Sequence, residues 1–181
     1  MENLDIVVLR TLKAWRDAGQ RAMLTTVVRT WGSSPRPVGS IMALCETGAV
    51  VGSVSGGCIE DDLIAQYSKA NAITDCAPVR LKYGISADEA HRFGLPCGGT
   101  LELLLEFNPD AARLTELIDM LARGQLTQRC TDLQTGHVTL IASDAPSELH
   151  IDEHQLINTF GPEYRMLLIG AGQMTEYLAT M

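Results

Sequence analysis

No Cys-x-x-Cys pair occurs among the five cysteines of this chain, at positions 45, 58, 76, 97 and 130. That absence, with an odd total, excludes a zinc ribbon and a disulfide framework and leaves free thiols suited to a reducing compartment. Positive charge is also in short supply. Fourteen Lys and Arg face 22 Asp and Glu, for a formal net charge of −8 and a pI near 4.9. An acidic chain without a basic run repels phosphate backbones and anionic lipid, so neither nucleic acid nor a membrane is expected as a partner. No apolar run reaches the roughly 18 residues of a spanning helix. The acidic first five residues lack a signal-peptide pattern. Together these features predict a soluble, cytoplasmic protein. At 181 residues the chain is long enough for one well-packed domain that needs no staple, or for one domain plus a fragment.

The stretch Gly-Ser-Val-Ser-Gly-Gly-Cys-Ile-Glu (52–60) is the most informative one present. Residues 50–55 read as the end of a buried strand, and Ile59, Leu63, Ile64 and Tyr67 recur at helical spacing, so a helix starts close to Cys58. A strand that breaks at Gly56 and Gly57 and turns into a helix offers backbone N–H groups able to face an anion. Cys58 sits where the helix dipole favours a thiolate. An ordinary strand-to-helix turn with a buried Cys fits the same residues, and Glu60, Asp61 and Asp62 would compete with an external anion for the helix end.

Along the chain, residues 3–18 read as an amphipathic helix with Gly19 as its stop, and residues 22–30 as a β-branched strand. Residues 31–39 form a turn-rich loop that presents Arg36 between two prolines, suited to a phosphate or carboxylate, although a solvated Arg fits equally. Residues 40–45 and 49–54 read as a hairpin turning at Thr47-Gly48, and residues 78–83 as a strand. Residues 86–89 match a capping box for a short helix. Residues 101–107 read as a strand with Leu101, Leu103, Leu105 and Phe107 on one side and Glu102, Leu104 and Glu106 on the other. Asn108-Pro109 is expected to cap a helix ending near Arg123, and residues 126–132 with 137–142 to form a hairpin at Thr135-Gly136. Residues 146–163 show no clear period and read as a linker. An apolar strand from residue 164 then runs into Gly170-Ala-Gly172, which resembles the start of a dinucleotide-binding unit with Thr175 in place of the third Gly. His150 and His154 are four apart, yet no helical pattern supports a metal site there.

Ser55-Gly56-Gly57-Cys58 and Cys97-Gly98-Gly99-Thr100 echo each other, so the two breaks could converge on one pocket lined by thiols and bare backbone, or be two tight turns. With Gly-Ser-Ser-Pro-Arg (32–36) and Gly-Leu-Pro-Cys-Gly-Gly-Thr-Leu-Glu (94–102), the 52–60 stretch resembles the xanthine dehydrogenase accessory family, XdhC/CoxI. The resemblance implies an α/β fold: a mixed-sheet N-terminal domain with flanking helices over residues 1–145, a linker over 146–163, and over 164–181 the first strand, turn and part of a helix of a Rossmann-like domain. It implies a chaperone rather than an enzyme. Such a protein binds molybdenum cofactor, protects it, and assists its sulfuration and insertion into a molybdenum hydroxylase client, with a cysteine desulfurase-type sulfur donor. Cys58 and Cys97 would then lie near molybdenum, with Gly56, Gly57, Gly98, Gly99 and Ser55 giving backbone access and Arg36 meeting a phosphate. The apolar 167–169 edge predicts a homo-oligomer. NAD(P) binding at Gly170 and Gly172 is not expected from a single strand and turn. A nicotinamide-dependent oxidoreductase and a purely structural domain with buried cysteines remain the alternatives.

Overall fold

The computed structural model describes residues 4–32, 36–69, 72–84 and 100–162, with residues 170, 172, 173 and 176, and of Cys58 the backbone alone. Its frame is a five-stranded sheet built from β1 (Ala22–Trp31), β2 (Ile41–Cys45), β3 (Val50–Gly52), β4 (Val79–Tyr83) and β5 (Thr100–Phe107), in the order β3-β2-β1-β5-β4. Every described pair is antiparallel, and β2 turns into β3 through Gly48, whose N–H donates to the Cys45 carbonyl at 2.9 Å. Side chains alternate across a strand, so β1 sends Ala22 and Leu24 to one face and Met23 and Val27 to the other. Helix α1 (Leu4–Asp17) and helix α3 (Ala111–Ala122) bury Val8, Leu9, Leu12, Leu114 and Leu117 against the first face. Helix α2 (Cys58–Tyr67) packs Ile59 and Leu63 on the second face, against Met23, Met42, Leu101, Leu103 and Leu105. Each of these fully buried aliphatic side chains contributes about 1.5–3 kcal/mol relative to exposure.

The side assignment of residues 101–107 holds, and both sides are covered. Leu101, Leu103 and Leu105 face α2, while Glu102, Leu104 and Glu106 are buried under a second sheet. That sheet comprises β6 (Leu126–Asp132), β7 (Val138–Ser143), β8 (His150–Ile151) and β9 (Gln155–Phe160), ordered β7-β6-β9-β8 and again antiparallel. Residues 146–163, expected as a linker, therefore contain two strands, and β9 lies between β6 and β8. The reason is that polar Asn158 is buried midway along β9, between buried Leu156 and Phe160. Polar residues at buried positions erase the apolar alternation by which a strand is read. A second difference lies at α3, which is capped by Asp110, whose carboxylate accepts from the Arg113 N–H at 2.8 Å, rather than by Asn108. Asn108 adopts φ 47° and turns its side-chain oxygen onto the Ala22 N–H and Arg16. The α/β class with flanking helices is as expected. The expected short helix at 86–93 and the 164–169 strand lie outside the described residues, and among the described residues no helix is long and apolar enough to cross a membrane.

Gly52 closes β3 at φ +84°, and a Cβ built there would lie 2.4 Å from the Ile41 carbonyl oxygen and 2.8 Å from Val8 Cγ2. Backbone cannot yield as a flexible side chain does, so Gly52→Ala is expected to cost about 2–3 kcal/mol. Urea denaturation checks this; a midpoint within error of wild type would contradict it.

Candidate functional site

The strand order brings the described residues of the three stretches singled out from the sequence to one end of the five-stranded sheet. Trp31 pairs with Thr100, Tyr83 with Leu101, and Gly52 with Met42. Residues 32–40 leave β1 at this end, residues 53–57 leave β3, and residues 84–99 run from β4 to β5. β1 and β5 extend past β2 and β3, and the 32–40 connection folds back along β1, where the Gly39 N–H donates to the Val27 carbonyl at 2.8 Å. Arg36 Nε then donates to Ser53 Oγ at 3.3 Å, joining the proline-flanked loop to the 52–60 stretch.

Between β3 and α2 the backbone coils so that successive N–H groups converge, the concave geometry that binds anions. The anion held there belongs to the chain itself. Glu60 Oε1 accepts from Ser53 Oγ at 2.7 Å, from the Val54 and Ser55 N–H groups at 2.8 Å each, and from the Gly56 N–H at 3.1 Å. Its Oε2 accepts from the Gly57 N–H at 2.9 Å and from Ser55 Oγ. Gly57 is the N-cap of α2 and Glu60 its third residue, so the carboxylate also serves as the returning arm of a helix cap. Burial pushes the Glu60 carboxyl up, but the hydrogen bonds from Ser55 and Ser53 outweigh it and hold it well below the usual carboxylate range.

The expectation that N–H groups of this turn face an external anion is thus corrected: those of Val54, Ser55, Gly56 and Gly57 are engaged by Glu60. The sequence signal was an acid at the third helical position after a run of small residues. What remains open is the space over the glycines. Gly56 and Gly57 adopt φ 92° and 147°, and a Cβ built on either meets nothing within 4 Å. They are glycines for conformation, and they leave a bare surface beside the backbone of Cys58. The structure brings together Arg36, Ser55, Gly56, Gly57 and the start of α2 at Cys58, whereas Cys97, Gly98 and Gly99 lie outside the described residues. Thr100, which follows them, donates from Oγ1 to the Gly84 carbonyl at 3.1 Å, so both ends of that connection are fixed at the same sheet end. Cys45 is buried, Cys76 exposed and Cys130 half-buried, burial pushing the Cys130 thiol up. Gly170 and Gly172 are exposed.

A small-residue turn at one end of an antiparallel sheet, leading into an α-helix whose cap is an internal carboxylate, defines an α/β domain. The model of the XdhC and CoxI family matches residues 15–84, from the end of α1 through β4. The chain is 24% identical over 196 residues to a probable xanthine dehydrogenase subunit of Bacillus subtilis (strain 168), a match covering 94% of this chain and 58% of that protein. It is 24% identical over 164 residues to the molybdenum cofactor insertion chaperone PaoD of Escherichia coli (strain K12), covering 91% and 50% respectively. A crystal structure described as a xanthine dehydrogenase from Bacillus halodurans has the same fold, with a TM-score of 0.65 and 26% identity over 88% of this chain and 53% of that one. The chain therefore spans about half the length of the relatives it matches.

Proposed function

We propose that this chain carries molybdenum cofactor as cargo: it binds the cofactor, shields it, and assists its sulfuration and insertion into a xanthine or carbon monoxide dehydrogenase-type molybdenum hydroxylase. The observation that carries the reading is the Arg36–Ser53 contact, which ties the proline-flanked loop to the turn leading into Cys58 at one sheet end. A pterin phosphate carrying molybdenum needs a cation for its phosphate, room for its rings and a soft donor for its metal. Arg36 supplies the first, the bare Gly56–Gly57 surface the second, and Cys58, joined by Cys97 from the 84–99 connection, the third. The engaged N–H groups of 54–57 do not take part, so the phosphate is held by side chains. A cysteine desulfurase-type partner delivers the sulfur, the client receives the cofactor, and the chain acts in the cytoplasm as a homo-oligomer.

Anaerobic purification followed by metal and pterin analysis tests this directly. Wild type retains both, and Cys58→Ser and Cys97→Ser, which put a harder oxygen in place of sulfur, lose most of the cofactor with little change in thermal stability. In mass-resolved thiol labelling of the native protein, Cys58 and Cys97 react faster than Cys45, with exposed Cys76 as the fast reference. Full cofactor retention by both Ser variants would remove the shared site. Light scattering gives the oligomeric state, and addition of loaded protein to cofactor-free client tests insertion.

A further inference from the structure

An open groove of about 720 Å³ is lined by residues 37–40 of the connection after β1, by residues 146–149, by residues 158–160 of β9 and by Asp5 of α1. Both connecting segments are tied to the sheets. The Gly39 N–H donates to the Val27 carbonyl at 2.8 Å, and the Ser40 N–H to the Pro37 carbonyl at 3.2 Å. On the other side, Ser147 Oγ is hydrogen-bonded to Thr159 Oγ1 at 2.7 Å and accepts from Gln128 Nε2 at 3.3 Å. Binding sites are usually preformed in this way.

Two features of the lining point to an occupant. Asn158 is 7% exposed, and its side-chain amide makes no hydrogen bond among the described residues, yet neither of its polar atoms is closed to solvent. A Cβ built on neighbouring Gly39 would stand 3.8 Å from Asn158 Oδ1, so the glycine leaves that oxygen uncovered. An amide nine-tenths buried and unpaired is uncommon in native proteins, and a partner with one donor and one acceptor satisfies it. The second feature is charge. The charged residues of the described lining are Asp5 and Glu148, both acidic, with no Lys, Arg or His among them. The N–H groups of Gly39 and Ser40 are already engaged, and Pro37 and Pro146 have none. Acceptors therefore outnumber donors, a surface that repels a phosphate and attracts a cation rich in N–H groups.

We infer that this groove receives an extended, basic segment of a partner protein. Asn158 pairs with one peptide group of that segment, taking its N–H and giving an N–H to its carbonyl, while Glu148 and Asp5 meet Lys or Arg side chains. The primary amide of Asn matches the donor and acceptor of a peptide group, and the groove has room for several residues rather than one side chain. The inference stands apart from the cargo reading, because neither Arg36 nor a described cysteine lines this groove.

The test is calorimetry at low salt, with the folded full chain and acetyl-Ala-Arg-Ala-Lys-Ala amide as the probe. Wild type binds it, and does not bind the peptide with Glu in place of Arg and Lys. Asn158→Leu weakens binding about tenfold, as expected for two lost hydrogen bonds. Methylating the alanine N–H groups of the probe in turn identifies one position that loses a similar factor against wild type and nothing further against Asn158→Leu. Losses that add at every position overturn the pairing with a peptide group. Glu148 is exposed, so Glu148→Lys leaves the fold intact and weakens binding severalfold, whereas Glu153→Lys, exposed and outside the groove, changes it much less. This comparison decides whether or not Asn158→Leu folds. Absence of wild-type binding overturns the inference. So do equal losses at Glu148 and Glu153, which mean general attraction to an acidic chain, and arginine amide binding as tightly as the peptide, which means a small-cation site.

Discussion

Arg129→Ala is expected to lower the stability of the chain by about 3–5 kcal/mol, because it strands a carboxylate between two sheets. Arg129 of β6 reaches across to Glu106 of β5 in a fork, Nη1 to Oε1 and Nη2 to Oε2, both at 2.8 Å. Thr131 Oγ1 donates to Glu106 Oε2 at 3.1 Å and accepts from Arg129 Nη1 at 2.8 Å. Arg129 is 3% exposed and Glu106 4%. Two desolvated charges gain little over an apolar pair of similar volume, yet either one alone is heavily penalised. The paired replacement Glu106→Leu with Arg129→Met is therefore expected to recover most of the loss. Chemical denaturation of the single and double variants decides it. A double variant no more stable than Arg129→Ala would mean that the fork contributes through geometry no apolar pair can replace.

This pair also shows why the second sheet was only partly legible. The hairpin formed by β6 and β7 announced itself through the turn at Thr135-Gly136, and Gly136 adopts φ 73° there. β9 offered no such marker. Leu156, Asn158 and Phe160 are its buried positions, and the Asn in the middle breaks the pattern that would have identified a strand. Its neighbour β6 carries Thr127, Arg129 and Thr131 at buried positions, which a sequence reading assigns to solvent. By contrast α1, the Thr47-Gly48 hairpin and the two-sided β5 were readable, because their apolar spacing and their turn residues agree. In the candidate site, local features were legible and convergence was not. Gly56, Gly57 and the start of α2 follow from spacing over a few residues. That residues 32–40, 53–57 and 84–99 leave from one sheet end depends on the order β3-β2-β1-β5-β4, which no local pattern encodes. The role of Glu60 was visible only as an acid in a first helical turn, and its orientation back into the Ser53–Gly57 backbone required the fold.

Glu60→Gln is expected to cost about 3 kcal/mol or more at neutral pH, and to flatten the acid limb of the stability curve. The carboxylate receives six donors, two hydroxyls and four backbone N–H groups. A carboxylate offers about four lone-pair sites and no donor, whereas the amide of Gln turns an N–H pair toward groups that are themselves donors. Hydrogen bonds to an ionised group contribute about 1.5–3 kcal/mol each when broken singly, and several are lost here together, partly compensated by water. The sign of the pH effect follows from the direction of the shift. Burial raises the Glu60 pKa, but the bonds from Ser55 and Ser53 lower it further, so the folded value lies below the unfolded one near ~4.3. The stabilisation is therefore complete above the unfolded value and is lost as pH falls below it toward the folded value. Asp132 and Asp152, lowered mainly by hydrogen bonds from Thr135 and from the His154 N–H respectively, add to the same acid limb in both proteins. Subtracting the Gln variant's curve from wild type isolates Glu60. Urea denaturation at intervals from pH 7 to pH 3 should show a difference that is constant above about pH 5 and shrinks below it. Parallel curves over the whole range would mean that Glu60 does not hold this turn by its charge.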